Sequence, residues 1–130
     1  MKPCILVCGG RDFTNWAHLR DTLDKICDER RWTTEPANDG NYLPDVRIIC
    51  GGASGADKLA IDWAVISWCP FEEYPANWNQ HGKAAGPIRN ARMINEGKPD
   101  LVVAFPGGRG TKHMVGVALA CGIEVIEVKP

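Results

Sequence analysis

The stretch LVVAFPGGRGTKHM, Leu101 to Met114, decides the fold. Five apolar residues run directly into Pro-Gly-Gly-Arg-Gly-Thr, and a helical pattern follows. An apolar run this short, bounded by turn residues, reads as a strand buried on both faces. The glycines let backbone approach a ligand closely and let successive N–H groups converge, which is how a chain cradles an anion without a charged side chain. One such loop is equally consistent with a tight strand-to-helix turn. The arrangement recurs, however, in CGGRDF (Cys8 to Phe13) and CGGASGADK (Cys50 to Lys58), each following a β-rich run and preceding a helical pattern.

Outward from these loops the chain is a ladder of strands and helices. ILVCGG (Ile5 to Gly10) gives a first strand, and Asn15 to Arg31 places Trp16, Leu19, Leu23, Ile26 and Cys27 on one helical face. The polar segment Trp32 to Asp45, with two prolines and Asp-Gly, reads as a long exposed loop. VRIICGG (Val46 to Gly52) gives the second strand, and a helix from about Gly55 to Ser67 turns Ala56, Ala60, Trp63 and Ala64 inward. FEEYPA (Phe71 to Ala76) is a short third strand. Pro87 opens a helix that ends near Glu96-Gly97. DLVVAFP and EVIEVK flank a helix from Thr111 to about Cys121 and complete five strands.

This alternation predicts one α/β domain over residues 1–130, Rossmann-like and doubly wound, with a five-stranded parallel sheet in the order 3-2-1-4-5. Ligands of such sheets bind beyond the carboxyl ends of the strands where the order reverses, here between the first and fourth. Three glycine loops converging there point to a phosphorylated, nucleotide-like ligand.

Composition narrows the partners. The 130 residues carry 15 basic and 16 acidic side chains, a net charge of −1, intermixed along the chain, so no nucleic-acid footprint is expected. No apolar run is long enough to span a membrane, and the Met1-Lys2-Pro3 start lacks the length of a signal peptide, so a cytoplasmic protein is expected. Six cysteines, at positions 4, 8, 27, 50, 69 and 121, form no Cys-x-x-Cys pair, and four of them sit in apolar patterns as small hydrophobes. His18, His81 and His113 are scattered, so neither a metal nor a cofactor is expected. Five tryptophans exceed what one small core encloses, which points to a homodimer or larger homo-oligomer.

The set GGRDF, GGASGAD, GPIRNARM and PDLVVAFPGGRGT resembles the SLOG superfamily of Rossmann-like proteins, especially its YspA-like (cpYpsA-related) branch, over almost the whole chain. The resemblance implies binding of nucleotides or nucleotide-derived molecules. The superfamily's LOG enzymes release a base from nucleoside monophosphates and carry Arg-Lys-x-x-Met before Pro-Gly-Gly-x-Gly-Thr-x-x-Glu. Here Arg89, Asn90 and Met93 align with the first motif, with Asn for Lys. Pro106, Gly107, Gly108, Gly110 and Thr111 align with the second, but its acidic position is Met114. Cleaving an N-glycosidic bond builds positive charge on the ribose, which a carboxylate stabilises and methionine does not. The expected activity is therefore ligand binding, by a sensor or a sequestering protein. The alternative is a hydrolase of N-glycosidic or phosphoester bonds in which Asp12, Asp57 or Glu73 supplies the carboxylate.

The expected ligand-binding residues are Gly9, Gly10, Arg11, Asp12, Gly52, Ser54, Asp57, Arg89, Pro106, Gly107, Gly108, Gly110 and Thr111. The guanidinium fork of Arg89 suits a phosphate or carboxylate. Asp57 either completes a capping box with Ser54 or accepts from a ribose hydroxyl. Thr111 either bonds a phosphate or caps its helix. Trp78 and His81 are placed to close over a base or to make oligomer contacts, and His113 is expected to face solvent.

Overall fold

The computed structural model describes residues 2–130. Five parallel strands, β1 (Cys4–Cys8), β2 (Arg47–Cys50), β3 (Phe71–Glu73), β4 (Leu101–Ala104) and β5 (Glu124–Glu127), form one sheet in the order β3-β2-β1-β4-β5. The helices are α1 (Trp16–Glu29), α2 (Ala56–Ile66), the single turn α3 (Trp78–His81), α4 (Ala85–Gly97) and α5 (Arg109–Ala120).

β1 is central because it is apolar at every position, and its alternating side chains feed both cores. Ile5 and Val7 pack with Ile48, Leu101 and Val103 beneath α1 and α2. Cys4, Leu6 and Cys8 pack with Ile49 and Val102 on the other face, beneath α4 and α5. Ile5 stands opposite Ile48 on one side and Leu101 on the other, so the register aligns the carboxyl ends of β1, β2 and β4. On α1 the inward residues are Leu19, Leu23, Ile26 and Cys27, the face that the helical period predicts. Trp63 of α2 is 1% exposed, and its indole N–H donates to Asp24 of α1 at 2.9 Å, which locks the two helices of that layer together.

Several boundaries move for identifiable reasons. β3 ends at Glu73 rather than Ala76, because it is an exposed edge strand and Pro75 has no N–H for a ladder. α4 starts two residues before Pro87, after a 3₁₀ turn over Gly82–Ala84, which leaves Pro87 in the first turn where its missing N–H has no intrahelical partner anyway. α5 starts at Arg109 rather than Thr111. The 32–45 segment is exposed as expected, but it is a narrow ribbon rather than an open loop. Thr33 bridges Pro44, and the Ala37 N–H donates to the Asn41 carbonyl at 2.7 Å. Trp68 lies beyond the end of α2 and is 84% exposed. Five cysteines are buried, and Cys121 is exposed.

Truncating Trp63 to alanine is expected to cost about 3–5 kcal/mol of folding free energy, since a cavity opens and the Asp24 carboxylate loses its donor. Urea denaturation of the variant measures this, and a loss under 1 kcal/mol contradicts the packing described.

Candidate functional site

The three glycine loops meet at the peptide groups of Gly10. Its N–H donates to the Pro106 carbonyl at 2.8 Å, and its carbonyl accepts from the N–H of Ala56, the first residue of α2, at 3.1 Å. Gly55 reaches that carbonyl so closely, at a φ of 74°, that any Cβ there would collide with it. Pro106 and Gly107 therefore join the β4 loop to the β1 loop.

Beyond this junction, at the carboxyl ends of β1, β2 and β4, lies a cavity of about 490 Å³, within the size range of small-molecule sites. Its wall contains Gly9, Gly10, Arg11, Asp57, Arg89, Gly108, Gly110 and Thr111 of the sequence-based set. Gly52 and Ser54 line an adjoining hollow of about 240 Å³ that shares Arg11, Gly51 and Arg89 with it. Asp12, Pro106 and Gly107 line neither. Asp12 is exposed, while Pro106 gives its carbonyl to Gly10 and Gly107 brings its backbone close to the same residue. A larger hollow of about 670 Å³ lies between α1, the 32–45 ribbon and the end of α2. It is remote from the strand ends, and its charged residues are Asp24, Asp28 and Lys25, a poor match for an anion.

Charge in the 490 Å³ cavity is one-sided. Arg11, Lys83, Arg89 and Arg109 line it against a single carboxylate, Asp57. The N-terminus of α5 also opens onto it through Gly108, Arg109, Gly110 and Thr111. The helix is capped by Gly108, which has no side chain to satisfy the first N–H groups, so Thr111 sits inside the first turn rather than at the cap. These donors and the positive end of the helix dipole favour an anion.

Arg89 is held with its guanidinium against Gly51. Its Nη1 donates to the Gly51 carbonyl at 2.9 Å and its Nε to Asn90 Oδ1 at 2.9 Å, which leaves Nη2 without a protein partner among the described residues. A Cβ at Gly51 would occupy the guanidinium's place, so this glycine is required by a side chain 38 residues away.

Asp57 is 6% exposed, and its Oδ2 accepts from the Ala53 N–H at 3.1 Å. It thus bonds back into the glycine loop rather than closing a box with Ser54, whose hydroxyl is turned toward the Arg11 carbonyl. Burial pushes the Asp57 carboxyl up to about 6, against the opposing pull of the Ala53 N–H and of Arg89. Cys8, on the same wall, is pushed by burial up to about 12, which favours the thiol at neutral pH. Glu73, the third carboxylate proposed for hydrolysis, lies outside the cavity on the edge strand.

Gly51, Lys83, Asn90, Arg109 and His113 belong to the cavity but not to the sequence-based set. His113 corrects the expectation that it faces solvent: it is half-buried and its Nδ1 lies 3.0 Å from Asn90 Nδ2. Trp78 lines the same wall, and His81 does not.

A five-stranded parallel sheet with helices on both faces defines a Rossmann-like fold, and the cationic cavity lies at its switch point. Residues 3–81 match the YAcAr family, described as the YspA, cpYpsA-related SLOG family, and the chain belongs to it. The match ends before α4 and α5, so the residues from Arg89 onward lie outside it. The chain is 40% identical over 89 residues to the Gene 61 protein of Mycobacterium phage D29, covering 61% of this chain and 68% of that protein. Among solved structures it is similar to the Moco Carrier Protein from Chlamydomonas reinhardtii, with a TM-score of 0.60 at 21% identity, covering 96% of this chain and 75% of that one. That likeness confirms the fold. No described helix is long and apolar enough to cross a membrane.

Asp57 gives the protein a defined pH dependence. Its carboxyl titrates near 6 when folded and at 3.8 ordinarily, so between these values the folded chain keeps a proton that the unfolded chain has released. The contribution to stability is full below pH 3.8 and is lost as pH rises through 6, on the order of 3 kcal/mol for the full difference. Urea denaturation near pH 4 and pH 7 is therefore expected to show Asp57→Asn gaining stability relative to the wild type as pH rises. An unchanged difference between the two chains contradicts this.

Proposed function

We propose that this chain binds a nucleotide or nucleotide-derived small molecule in the 490 Å³ cavity and holds it without LOG-type turnover. The observation that carries the reading is the cavity's pairing of four cationic side chains and an uncapped helix N-terminus with an apolar residue at the family's acidic position. Met114 is 1% exposed and packs with Met93 in the core beneath the cavity. The groups that grip a phosphate are in place. The carboxylate that would face the developing ribose charge is replaced by a thioether.

Arg89, Arg109, Thr111 and the first N–H groups of α5 hold the anionic end, and Trp78 offers an aromatic face to a base. Asp57 accepts from a ligand hydroxyl or amino group. The name of the Moco Carrier Protein agrees with small-molecule binding on this fold. Five buried cysteines support a reducing, cytoplasmic setting, and the exposed Val65, Ile66 and Trp68 at the end of α2 support self-association.

One observation favours a second reading, a nucleotide hydrolase: Asp57, alone among the cavity's residues, is a carboxyl titrating near 6, close to the operating pH of a general acid or base.

A calorimetric and thermal-shift panel of nucleoside mono-, di- and triphosphates, cyclic nucleotides and ADP-ribose-type compounds tests the binding reading. At a hundredfold excess over Kd the true ligand type stabilises the fold by about 2.7 kcal/mol. Arg89→Ala is expected to weaken it by about 1.5–3 kcal/mol, and Gly51→Ala by a similar amount through expulsion of the guanidinium. A panel without any shift or heat overturns the proposal.

Negligible base release is expected from AMP, GMP, CMP and cytokinin-type monophosphates in overnight incubations followed by liquid chromatography. Turnover near one per second, abolished by Asp57→Asn, establishes the hydrolase instead.

A further inference from the structure

Asn90 is a buried polar residue, 4% exposed, on the inner side of α4. Three polar groups surround its amide. Arg89 Nε lies 2.9 Å away, His113 Nδ1 3.0 Å and the Gly110 carbonyl 3.4 Å. Their chemistry fixes every proton. A guanidinium Nε carries hydrogen and cannot accept, so Asn90 must turn Oδ1 toward Arg89. Its NH₂ then faces Gly110 and His113. An NH₂ only donates here, so His113 Nδ1 must offer a lone pair and the imidazole proton resides on Nε2. The reversed amide would set NH₂ against Nε–H, two donors face to face, and would also lose the Gly110 carbonyl.

We propose that Asn90 is a positioning residue that sets the Arg89 guanidinium and the His113 tautomer with one amide. We further propose that His113 is a ligand-binding residue whose Nε2–H donates to an anionic oxygen held at the start of α5. His113 lies four residues into a helix whose first turn lines the same cavity, and with Nδ1 committed to Asn90 its Nε2 is the nitrogen left for a ligand. The ligand half of the proposal rests on the nucleotide reading above. The tautomer half does not. The donor is uncharged, so it adds directionality beside Arg89 and Arg109 without adding to their mutual repulsion.

The test uses the full chain labelled with ¹⁵N-histidine, with His113 assigned by its loss in His113→Gln. At alkaline pH the wild-type imidazole is expected as the Nε2–H tautomer. In Asn90→Asp the replacing carboxylate still accepts from Arg89 but now also accepts from His113, which moves the proton to Nδ1 and inverts the pattern. AMP and inorganic phosphate, titrated by calorimetry, read the ligand half. His113→Phe is expected to weaken AMP about tenfold, and His113→Gln, whose amide still donates, to restore most of that affinity.

A wild-type Nδ1–H tautomer, or one unchanged in Asn90→Asp, overturns the positioning role. A wild-type Nδ1–H tautomer overturns it even if the variant does not fold. Equal AMP affinity in His113→Phe and the wild type overturns the ligand role of His113. Failure of both AMP and phosphate to bind any chain overturns the His113 ligand role, while the nucleotide reading is judged by the full panel and the positioning role of Asn90 by the tautomer alone.

Discussion

The peptide groups of Gly10 hold the site together. The N–H reaches the β4 loop and the carbonyl reaches the start of α2, so three segments separated widely in sequence are tied to one residue without any side chain. Backbone must approach backbone at hydrogen-bond distance for this to work, which explains why glycine sits on both sides of the junction, at Gly55 and at Gly107. The strand register delivers β1, β2 and β4 to the same level, and the Gly10 bonds hold their exits close enough to enclose a cavity.

Charge is distributed within that enclosure so that a single acid is surrounded by bases. Asp57 is buried at a cost to the fold, as its raised titration near 6 records. That cost is partly offset by the Ala53 N–H, whose bond to Asp57 ties the second glycine loop to α2. Arg89 is the opposite case. It is anchored twice by the protein, so little side-chain freedom would be left to lose if a ligand bound its remaining nitrogen.

The fold was legible because it follows from short-range pattern. An all-apolar β1 and the 3.6-residue period of α1 announce a buried strand and a one-sided helix, and strand order follows from their alternation. Half-legible elements were those with weak pattern: β3, three exposed residues at an edge, and the start of α5, blurred by glycine. Within the site, the glycine loops and Arg89 were visible as local motifs. Gly51 and Gly52 are indistinguishable in sequence, because the demand on Gly51 comes from Arg89, a long-range neighbour. Asn90 and His113 stand 23 residues apart on different helices, so neither motif nor period could pair them. Asp12 and Pro106 also adjoin glycine turns, but Asp12 is exposed and lines neither hollow, and Pro106 gives its carbonyl to the Gly10 N–H.

The cavity is also a seam. One bank comes from residues 8–57, the other from residues 78–114, and the strands that carry them are paired along β1 and β4. A molecule lying across the seam acts as a removable cross-link between the two halves of the chain. Bound there, it would raise the free energy of every partial opening that parts β1 from β4. Occupancy would thereby be written into the chain's resistance to proteolysis, and a protease that samples such openings would distinguish full molecules from empty ones by lifetime alone.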